Sequence, residues 1–168
     1  NPGLKIVYPS TPTEAKGLLL SCIFDEDPCI QFESMMLTYA LKEEVPVGDY
    51  RIPLGVAKVK REGTDVTLIT YGWQVMQCLK AAEELAKEGI SAEVLDLRTL
   101  LPLDYDRILA SVEKTGRALV VHAATEFCGL GSEIASTINE QLFSKLKAPA
   151  SRFSAAYAPI AHTKILEN

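Results

Sequence analysis

The sequence predicts a three-layer α/β/α sandwich on a mostly parallel sheet. The clearest part of the pattern lies between residues 65 and 97. It consists of an apolar, β-branched run at 66–71, an amphipathic run at 73–88 and a second predicted strand at 92–97. This order is a β-α-β unit, which places two parallel strands on either side of a crossover helix. The alternation continues towards the end of the chain, and it is typical of a sheet with helices on both faces.

The amphipathic run at 73–88 has the period of a helix. Its residues predicted to face the sheet are Val75, Leu79, Ala82 and Leu85 or Ala86. Glu83 and Lys87 have the spacing of a favourable i,i+4 pair, and Gly89 supplies the left-handed residue that commonly ends a helix. One face of this helix is therefore predicted to pack on the sheet.

Shorter patterns define the remaining elements. The other predicted strands are residues 4–8, 29–32, 56–60, 118–121 and 150–154. The other predicted helices begin at Pro12, at Pro102 or Asp104, and at Gly131 or Ser132, and they end near Ile23, at Gly116 and at Leu146. The run at 56–60 contains two lysines, which suit the solvent-facing edge of a sheet.

The first of these helices has a strong start signal. Thr11 is a good N-cap, Pro12 suits the first helical position, and Glu14 completes a capping box. Its predicted buried stripe consists of Ala15, Leu18, Leu19, Cys22 and Ile23.

Residues 34–53 show no clear period and are rich in charged and turn-forming residues. We place a domain boundary there, which divides the chain into residues 1–45 and 46–168. The first part contains a β-α-β fragment of its own. Because the sequence begins Asn-Pro-Gly without an initiator methionine, we expect it to be a piece of a longer chain.

Composition argues against several classes of protein. A net charge of −5 with interspersed signs does not suit nucleic acid, and no apolar run is long enough to span a bilayer. The four cysteines form no CxxC pair and have no histidine at zinc-ligand spacing. We therefore predict buried free thiols and a reducing compartment rather than a metal site or a disulfide framework.

Ligands of open parallel sheets bind beyond the carboxyl ends of the strands. The residues predicted to lie there are Gly72, Arg98, Thr99, His122 and Glu126. His122 is a candidate acid or base, and the alternative is a strand-end histidine hydrogen-bonded to backbone. Arg98 suits either an anion or the backbone carbonyls at its own strand end.

Gly129-Leu130-Gly131 precedes a helix and suggests a phosphate loop. The third glycine of a dinucleotide fingerprint would fall at Ile134, and there is no Gly-Lys-Ser/Thr. From the residues alone we predict a fold without a complete active site. The alternative is a free-standing, flavodoxin-like module that binds a nucleotide or flavin near Gly72 and His122.

Several segments resemble one family over nearly the whole chain. They are GLKIVYPSTP (3–12), AKGLL (15–19), EVP (44–46), IPLG (52–55), REGTDVT (61–67), GISAEV (89–94), DLRTL (96–100), PLD (102–104), KTGR (114–117) and KILE (164–167). The family is the β subunit of the thiamine-diphosphate-dependent decarboxylase of 2-oxo acid dehydrogenase complexes. The sequences at 61–65 and 96–99 favour this family over transketolase or a related single-chain thiamine enzyme.

The resemblance implies that residues 1–45 end a pyrimidine-binding domain and that residues 46–168 form a transketolase-like C-terminal domain. It implies an α2β2 assembly with an α subunit, with thiamine diphosphate and magnesium at the α/β interface. The reaction would be decarboxylation of a 2-oxo acid and acyl transfer to the lipoyl group of an acyltransferase partner. The family's catalytic glutamate lies upstream of Asn1, so this piece is expected to bind no cofactor and to be inactive alone, serving assembly and partner docking.

The resemblance also implies a monovalent cation, usually potassium. Its ligands would be the backbone carbonyls of Cys22, Ile23 and Asp25 and the side chain of Asp27, which stands where asparagine is common. The alternative is an acidic turn that ends the helix.

Two segments depart from the family pattern. His122-Ala123-Ala124 replaces a common His-Glu-Ala, which weakens an acid–base role for His122, and Tyr157-Ala158-Pro159 replaces an Asp-Thr-Pro-like turn. Pyruvate, branched-chain 2-oxo acids and acetoin stay open as substrates. The expected location is the cytoplasm in a bacterium or archaeon and the mitochondrial matrix in a eukaryote.

Overall fold

A computed structural model describes residues 2–159 of the chain. Its strands are β1 (Lys5–Val7), β2 (Cys29–Gln31), β3 (Lys58–Arg61), β4 (Val66–Thr70), β5 (Ala92–Asp96), β6 (Thr99–Leu101), β7 (Ala118–Thr125) and β8 (Ser151–Ala155). Its helices are α1 (Pro12–Ile23), α2 (Met35–Ala40), α3 (Gln74–Lys87), α4 (Tyr105–Thr115) and α5 (Leu130–Leu142).

The main sheet has five strands in the order β3-β5-β4-β7-β8. The pairs β4–β5, β4–β7 and β7–β8 are parallel, and β3 runs antiparallel to β5 at one edge. The predicted mostly parallel sheet and the predicted edge strand are confirmed.

Helices cover both faces of this sheet. On one face, Cys78 and Ala82 of α3 pack against Leu68 and Val94. On the other face, α4 and α5 pack against β4, β5 and β7. The residues of this larger core include Ile69, Leu95, Ile108, Val112, Val120, Ile134 and Ile138. The predicted three-layer α/β/α sandwich is confirmed.

A second sheet of three strands has the order β2-β1-β6. β1 is parallel to β2 and antiparallel to β6, so residues 99–101 of the sandwich pair with the N-terminal segment, a name used here for residues 2–45. The N–H of Tyr8 also donates to the Arg98 carbonyl at 2.8 Å. Backbone hydrogen bonds therefore join the N-terminal segment to the sandwich.

Several local signals of the sequence correspond to the observed turns and caps. Gly89 and Gly116 have φ of +80° and +74°, and both follow the ends of helices. Thr11 caps α1 by accepting the N–H of Glu14 at 3.2 Å. Asp104 caps α4 by accepting the N–H of Arg107 at 3.1 Å.

Helix α1 differs from its prediction in two ways. Leu18 is fully buried, but Leu19 and Ile23 of the predicted stripe are 43% and 63% exposed, because none of the described residues covers that side. The Glu14 side chain does not close a capping box on Thr11. It is buried and bonds Ser10 and Lys60 instead.

Other differences reflect pairings that local patterns do not encode. Residues 34–53, predicted as a linker, contain the short helix α2, and β6 forms because it pairs with β1. β7 extends to Thr125 through its pairing with β8, and α5 ends at Leu142 rather than Leu146. Lys87 pairs with Glu84 at 2.6 Å rather than with Glu83.

All four cysteines are free thiols, as predicted, but only Cys78 is buried, and Cys128 is exposed. Within residues 2–159, none of the helices combines the length and the apolar character needed to cross a membrane.

Candidate functional site

The candidate crevice lies at the carboxyl ends of β4 and β7. The chain leaves β4 through α3 on one face and reaches β7 through α4 on the other face. Such reversals open a crevice between neighbouring strands, and ligands of open α/β sheets bind in it. Tyr71 and Gly72 follow β4, and His122 lies in the last half of β7.

Aromatic side chains of the chain itself fill this crevice. Ring centroids of Tyr8 and Tyr71 lie 5.7 Å apart, and the Tyr71 and His122 rings stack at 6.3 Å with 10° between their planes. Gly72 has φ +60°, and a Cβ there would lie 2.8 Å from the Tyr8 ring. The N-terminal segment therefore occupies the position in which a sheet of this type holds a ligand.

His122 is buried and connects β7 to the start of α5. Its Nε2 accepts the N–H of Gly131 at 3.2 Å. The neutral ring therefore carries its proton on Nδ1. Among the described residues, Nδ1 has no hydrogen-bond partner of normal geometry. Burial lowers the pKa of His122, and the Ala124 backbone only partly offsets this effect. The geometry gives His122 a backbone hydrogen bond and no open path to a substrate.

The glycines of the suspected phosphate loop make room for His122. A Cβ on Gly129 would lie 2.8 Å from Cε1 of the imidazole, and a Cβ on Gly131 would overlap the ring. At Gly129 an added Cβ would also overlap the backbone carbonyl oxygen of Thr125. The small size of Gly131 is therefore explained by the imidazole, and that of Gly129 by the Thr125 carbonyl together with the imidazole.

Arg98 and Thr99 bond to the backbone of the loop before β3. Arg98 has φ +56°, and its Nε and Nη2 donate to the Val56 carbonyl at 3.0 and 2.6 Å. Thr99 accepts the N–H of Gly55 at 3.0 Å. Glu126, by contrast, is exposed and lies 3.5 Å from Arg152. Arg98 and Thr99 thus lie near β5 and β6, away from Glu126, and the arginine is already satisfied.

A buried charged cluster that the sequence did not reveal lies at the end of β5. Ser10 Oγ is 2.5 Å from Oδ2 of Asp96 and 2.8 Å from Oε2 of Glu14, and Lys60 Nζ is 2.7 Å from Oε1 of Glu14. Arg98 donates its backbone N–H to Asp96 at 3.1 Å. These residues come from three separate parts of the sequence. The available signal was an aspartate at the end of a buried strand.

The two carboxyl groups of this cluster have opposite pKa shifts. Burial raises the pKa of Asp96 to about 7, and the nearby negative charge of Glu14 contributes to the shift. Burial alone would also raise the pKa of Glu14, but Lys60, with Ser10 and Arg98, lowers it below its usual value. Glu14 is therefore the ionised member of the pair.

The predicted potassium segment already contains a cation from the chain. Lys5 Nζ lies 2.8 Å from both carboxylate oxygens of Asp25 and 3.1 Å from Asp27, while the Cys22 carbonyl accepts the N–H of Asp25 at 3.4 Å. Lys5 thus pairs with the side chains of Asp25 and Asp27. The potassium site formed by Cys22, Ile23, Asp25 and Asp27 stays a prediction.

Within residues 2–159, no group of three or more His, Cys, Asp or Glu side chains is placed so that it could hold a metal ion.

Fold and site together define an α/β sandwich whose strand-end crevice is closed by the segment that precedes it. The profile of the family described as "Transketolase, C-terminal domain" matches residues 55–168. The chain belongs to this family.

Curated relatives agree with the resemblance seen in the sequence. The chain is 54% identical over 154 residues to the "Pyruvate dehydrogenase E1 component subunit beta" of Bacillus subtilis (strain 168), covering 92% of this chain and 47% of that protein. Identity to the protein of the same name from Staphylococcus epidermidis (strain ATCC 12228) is 51% over 156 residues, with coverage of 93% and 48%. The chain spans about half the length of these relatives.

A solved structure supports the fold across the described residues. It is named "Split gene transketolase, inactive beta4 tetramer", and it matches with a TM-score of 0.76 and 25% identity over 99% of this chain and 52% of the other. The predicted resemblance and the transketolase-like fold are confirmed.

Proposed function

We propose that this chain is the C-terminal half of the β subunit of a thiamine-diphosphate-dependent 2-oxo acid decarboxylase. The whole enzyme would decarboxylate a 2-oxo acid and transfer the acyl group to a lipoyl arm. The observation that carries the proposal is 54% identity to a pyruvate dehydrogenase β subunit across 92% of the chain. Pyruvate is therefore the first substrate to test, before branched-chain 2-oxo acids and acetoin.

Within that enzyme, the role proposed for this half is assembly. Tyr8 lies in its strand-end crevice, against Tyr71 and Gly72, where a sheet of this type would hold a ligand. Large apolar side chains are concentrated on its N-terminal side, and exposed patches of this kind mark interaction surfaces. The exposed apolar residues in this region are Leu19, Ile23, Phe24, Ile30, Phe32, Met35, Met36, Tyr39 and Val47. This distribution supports the division at residue 45, with the preceding half of the β subunit covering this side.

Cofactors and partners follow from the same proposal. Thiamine diphosphate and magnesium would be bound by the other half of the β subunit and by an α subunit, in an α2β2 enzyme that docks a lipoyl acyltransferase. Arg98 is engaged by Val56 and Glu14 is paired with Lys60, so these charged groups are not free to hold a diphosphate or its metal. Potassium would depend on backbone carbonyls near Cys22. The compartment would be the cytoplasm, or the mitochondrial matrix in a eukaryote.

The test is reconstitution of the complete enzyme. The complete β reading frame is co-expressed with the neighbouring α-subunit gene, and decarboxylation is measured with thiamine diphosphate and magnesium. We expect turnover with one class of 2-oxo acid and none with the 168-residue chain alone. Absence of turnover with pyruvate, branched-chain 2-oxo acids and acetoin would refute the enzymatic proposal.

The alternative of a free-standing nucleotide or flavin module has its own test. A ligand bound only to the folded state raises the melting temperature. We expect no shift when the chain is heated with flavin or nucleotides, because Tyr8 fills the crevice. A clear shift would favour the binding module.

A further inference from the structure

The buried cluster at the end of β5 contains one hydroxyl hydrogen between two carboxyl groups. Ser10 Oγ lies within hydrogen-bond distance of Asp96 and of Glu14, at 2.5 and 2.8 Å. A serine hydroxyl has one hydrogen to donate and can accept others. If both carboxyl groups were ionised, one of these short contacts would join two oxygen atoms without a hydrogen between them. The geometry therefore requires a proton on one of the two acids.

The surrounding charges decide which acid carries this proton. Glu14 has the ammonium of Lys60 at 2.7 Å and the guanidinium of Arg98 at 3.9 Å. Asp96 is fully buried, and Lys60 is farther from it, at 3.5 Å. Glu14 is thus the better anion, and the donors run from Asp96 to Ser10 and from Ser10 to Glu14.

These groups also lie across a structural joint. Ser10 and Glu14 belong to the N-terminal segment, whereas Lys60 and Asp96 belong to β3 and β5 of the sandwich. From the neighbouring strand β4, the residue in register with Asp96 is Thr70, which is uncharged. From the other neighbouring strand, β3, the residue in register with Asp96 is Lys58, whose side chain is exposed. The charged groups around Asp96 are therefore Glu14, Lys58, Lys60 and Arg98.

We propose that Asp96 is protonated in slightly acidic solution and that its proton, in the hydrogen-bonded series from Asp96 through Ser10 to Glu14, fastens the N-terminal segment to the sandwich. Loss of this proton in alkaline solution leaves two buried anions sharing one hydroxyl hydrogen. The repulsion between them loosens the joint. The cluster is thus a proton-dependent lock between the two parts of the chain.

The direct test is infrared spectroscopy of the 168-residue chain during a pH titration. A buried carboxylic acid has a carbonyl band that an ionised carboxylate lacks. We expect this band at about pH 6 and its loss with a midpoint near pH 7, the pKa to which burial raises Asp96. Absence of the band at about pH 6 in the unmodified chain would overturn the proposal without any variant.

Two variants assign the band. Asp96→Asn replaces the acid with an amide that can still donate to Ser10, and it should remove the band. Glu93→Gln is the matched control, because Glu93 is the other fully buried acid of β5 and pairs with Lys114 outside this cluster. A band that disappears in Glu93→Gln and persists in Asp96→Asn would place the proton on Glu93 and overturn the proposal.

Hydrogen exchange tests whether the proton fastens the joint. The amide of Tyr8 donates to Arg98 across it, so its protection reports on the docking of the N-terminal segment. From about pH 6 to about pH 8.5, we expect protection relative to the intrinsic exchange rate to fall at least about threefold in the unmodified chain and to stay constant in Asp96→Asn. Equal protection at both pH values in the unmodified chain would overturn the proposed lock.

Discussion

At the scale of single residues, packing explains side chains whose pattern suggested chemistry. Gly72 lies at the end of a central strand, but its missing side chain makes room for Tyr8 rather than for a ligand. The imidazole of His122 is held in the same way between Tyr71, Gly129 and Gly131. The position of these residues at a strand end was predictable. The packing of Tyr8 on Gly72 was not, because Tyr8 is distant in the sequence.

Gly72→Ala should destabilise the protein through two effects. The left-handed φ of +60° is unfavourable for alanine, by roughly 1–2 kcal/mol, and crowding of the Tyr8 ring adds about 1–3 kcal/mol. Urea unfolding monitored by circular dichroism measures the sum. Gly89→Ala is the matched control, since its φ is +80° but no atom lies within 4 Å of the added Cβ. Equal losses in both variants would show that Tyr8 does not press on Gly72.

Replacing His122 should change how stability depends on pH. Burial lowers the pKa of the folded-state imidazole, so the unfolded chain binds the proton more readily, and stability is lost as the pH falls below about 6.5. In His122→Gln, an amide oxygen can accept the Gly131 N–H and does not titrate in this range. The free energy of unfolding should then fall less steeply between about pH 7 and pH 5. Asp96 is present in the unmodified chain and in His122→Gln, so its opposite contribution to the pH dependence cancels in the comparison. If the free energy of unfolding changed with pH in parallel in the two proteins, His122 would not be the group responsible.

At the scale of elements, the N-cap of α4 does more than start its own helix. Asp104 accepts the N–H of Arg107 in α4 and also the N–H of Ala57 at 2.8 Å, so it ties α4 to the chain just before β3. The cap was predictable from local sequence. The second hydrogen bond was not, since it joins residues 47 positions apart.

Asp104→Ala should cost more than the loss of an ordinary cap. An N-cap contributes about 1 kcal/mol, and the Ala57 bond adds about 1 kcal/mol more, so we expect a loss of about 2 kcal/mol in the free energy of unfolding. Asp106→Ala removes a carboxylate from the same first turn and serves as the control. Its expected cost is at most about 0.5 kcal/mol. If the two variants proved equally stable in urea, the dual role of Asp104 would be excluded.

At the scale of the whole molecule, the two sides of the chain differ in how well they are covered. The sandwich buries its apolar residues between three layers, whereas the N-terminal segment exposes Leu19 and Ile23 of α1 and buries no residue of α2. A surface of this kind associates with other surfaces in water. The chain alone should therefore self-associate through its N-terminal segment.

Sedimentation velocity at increasing concentration measures this association. Replacing Met35 and Met36 with glutamine should weaken self-association about tenfold, equivalent to about 1.4 kcal/mol, because less apolar surface is removed from water. Phe143→Gln is the control, since Phe143 is equally apolar and 82% exposed but lies beyond the end of α5. A larger effect of Phe143→Gln than of the double variant would place the contact on the sandwich instead.

The sequence by itself determined the sandwich. Regular apolar spacing in α3, the apolar starts of β4 and β7 and the cap at Asp104 are local properties, and each can be recognised within one short segment. Their consistency across levels made the order and type of the elements predictable.

Only the tertiary structure decided where the N-terminal segment docks and what its residues do there. β6 forms by pairing with β1, Tyr8 enters the crevice beside Gly72, and Glu14 turns inward to Ser10 and Lys60. Apart from the Ser10–Glu14 bond, which spans four residues, these contacts join residues distant in sequence, while helix and strand periods describe only near neighbours. A buried charged side chain is tolerated only when it is paired. Local periodicity does not identify a partner that lies elsewhere in the chain.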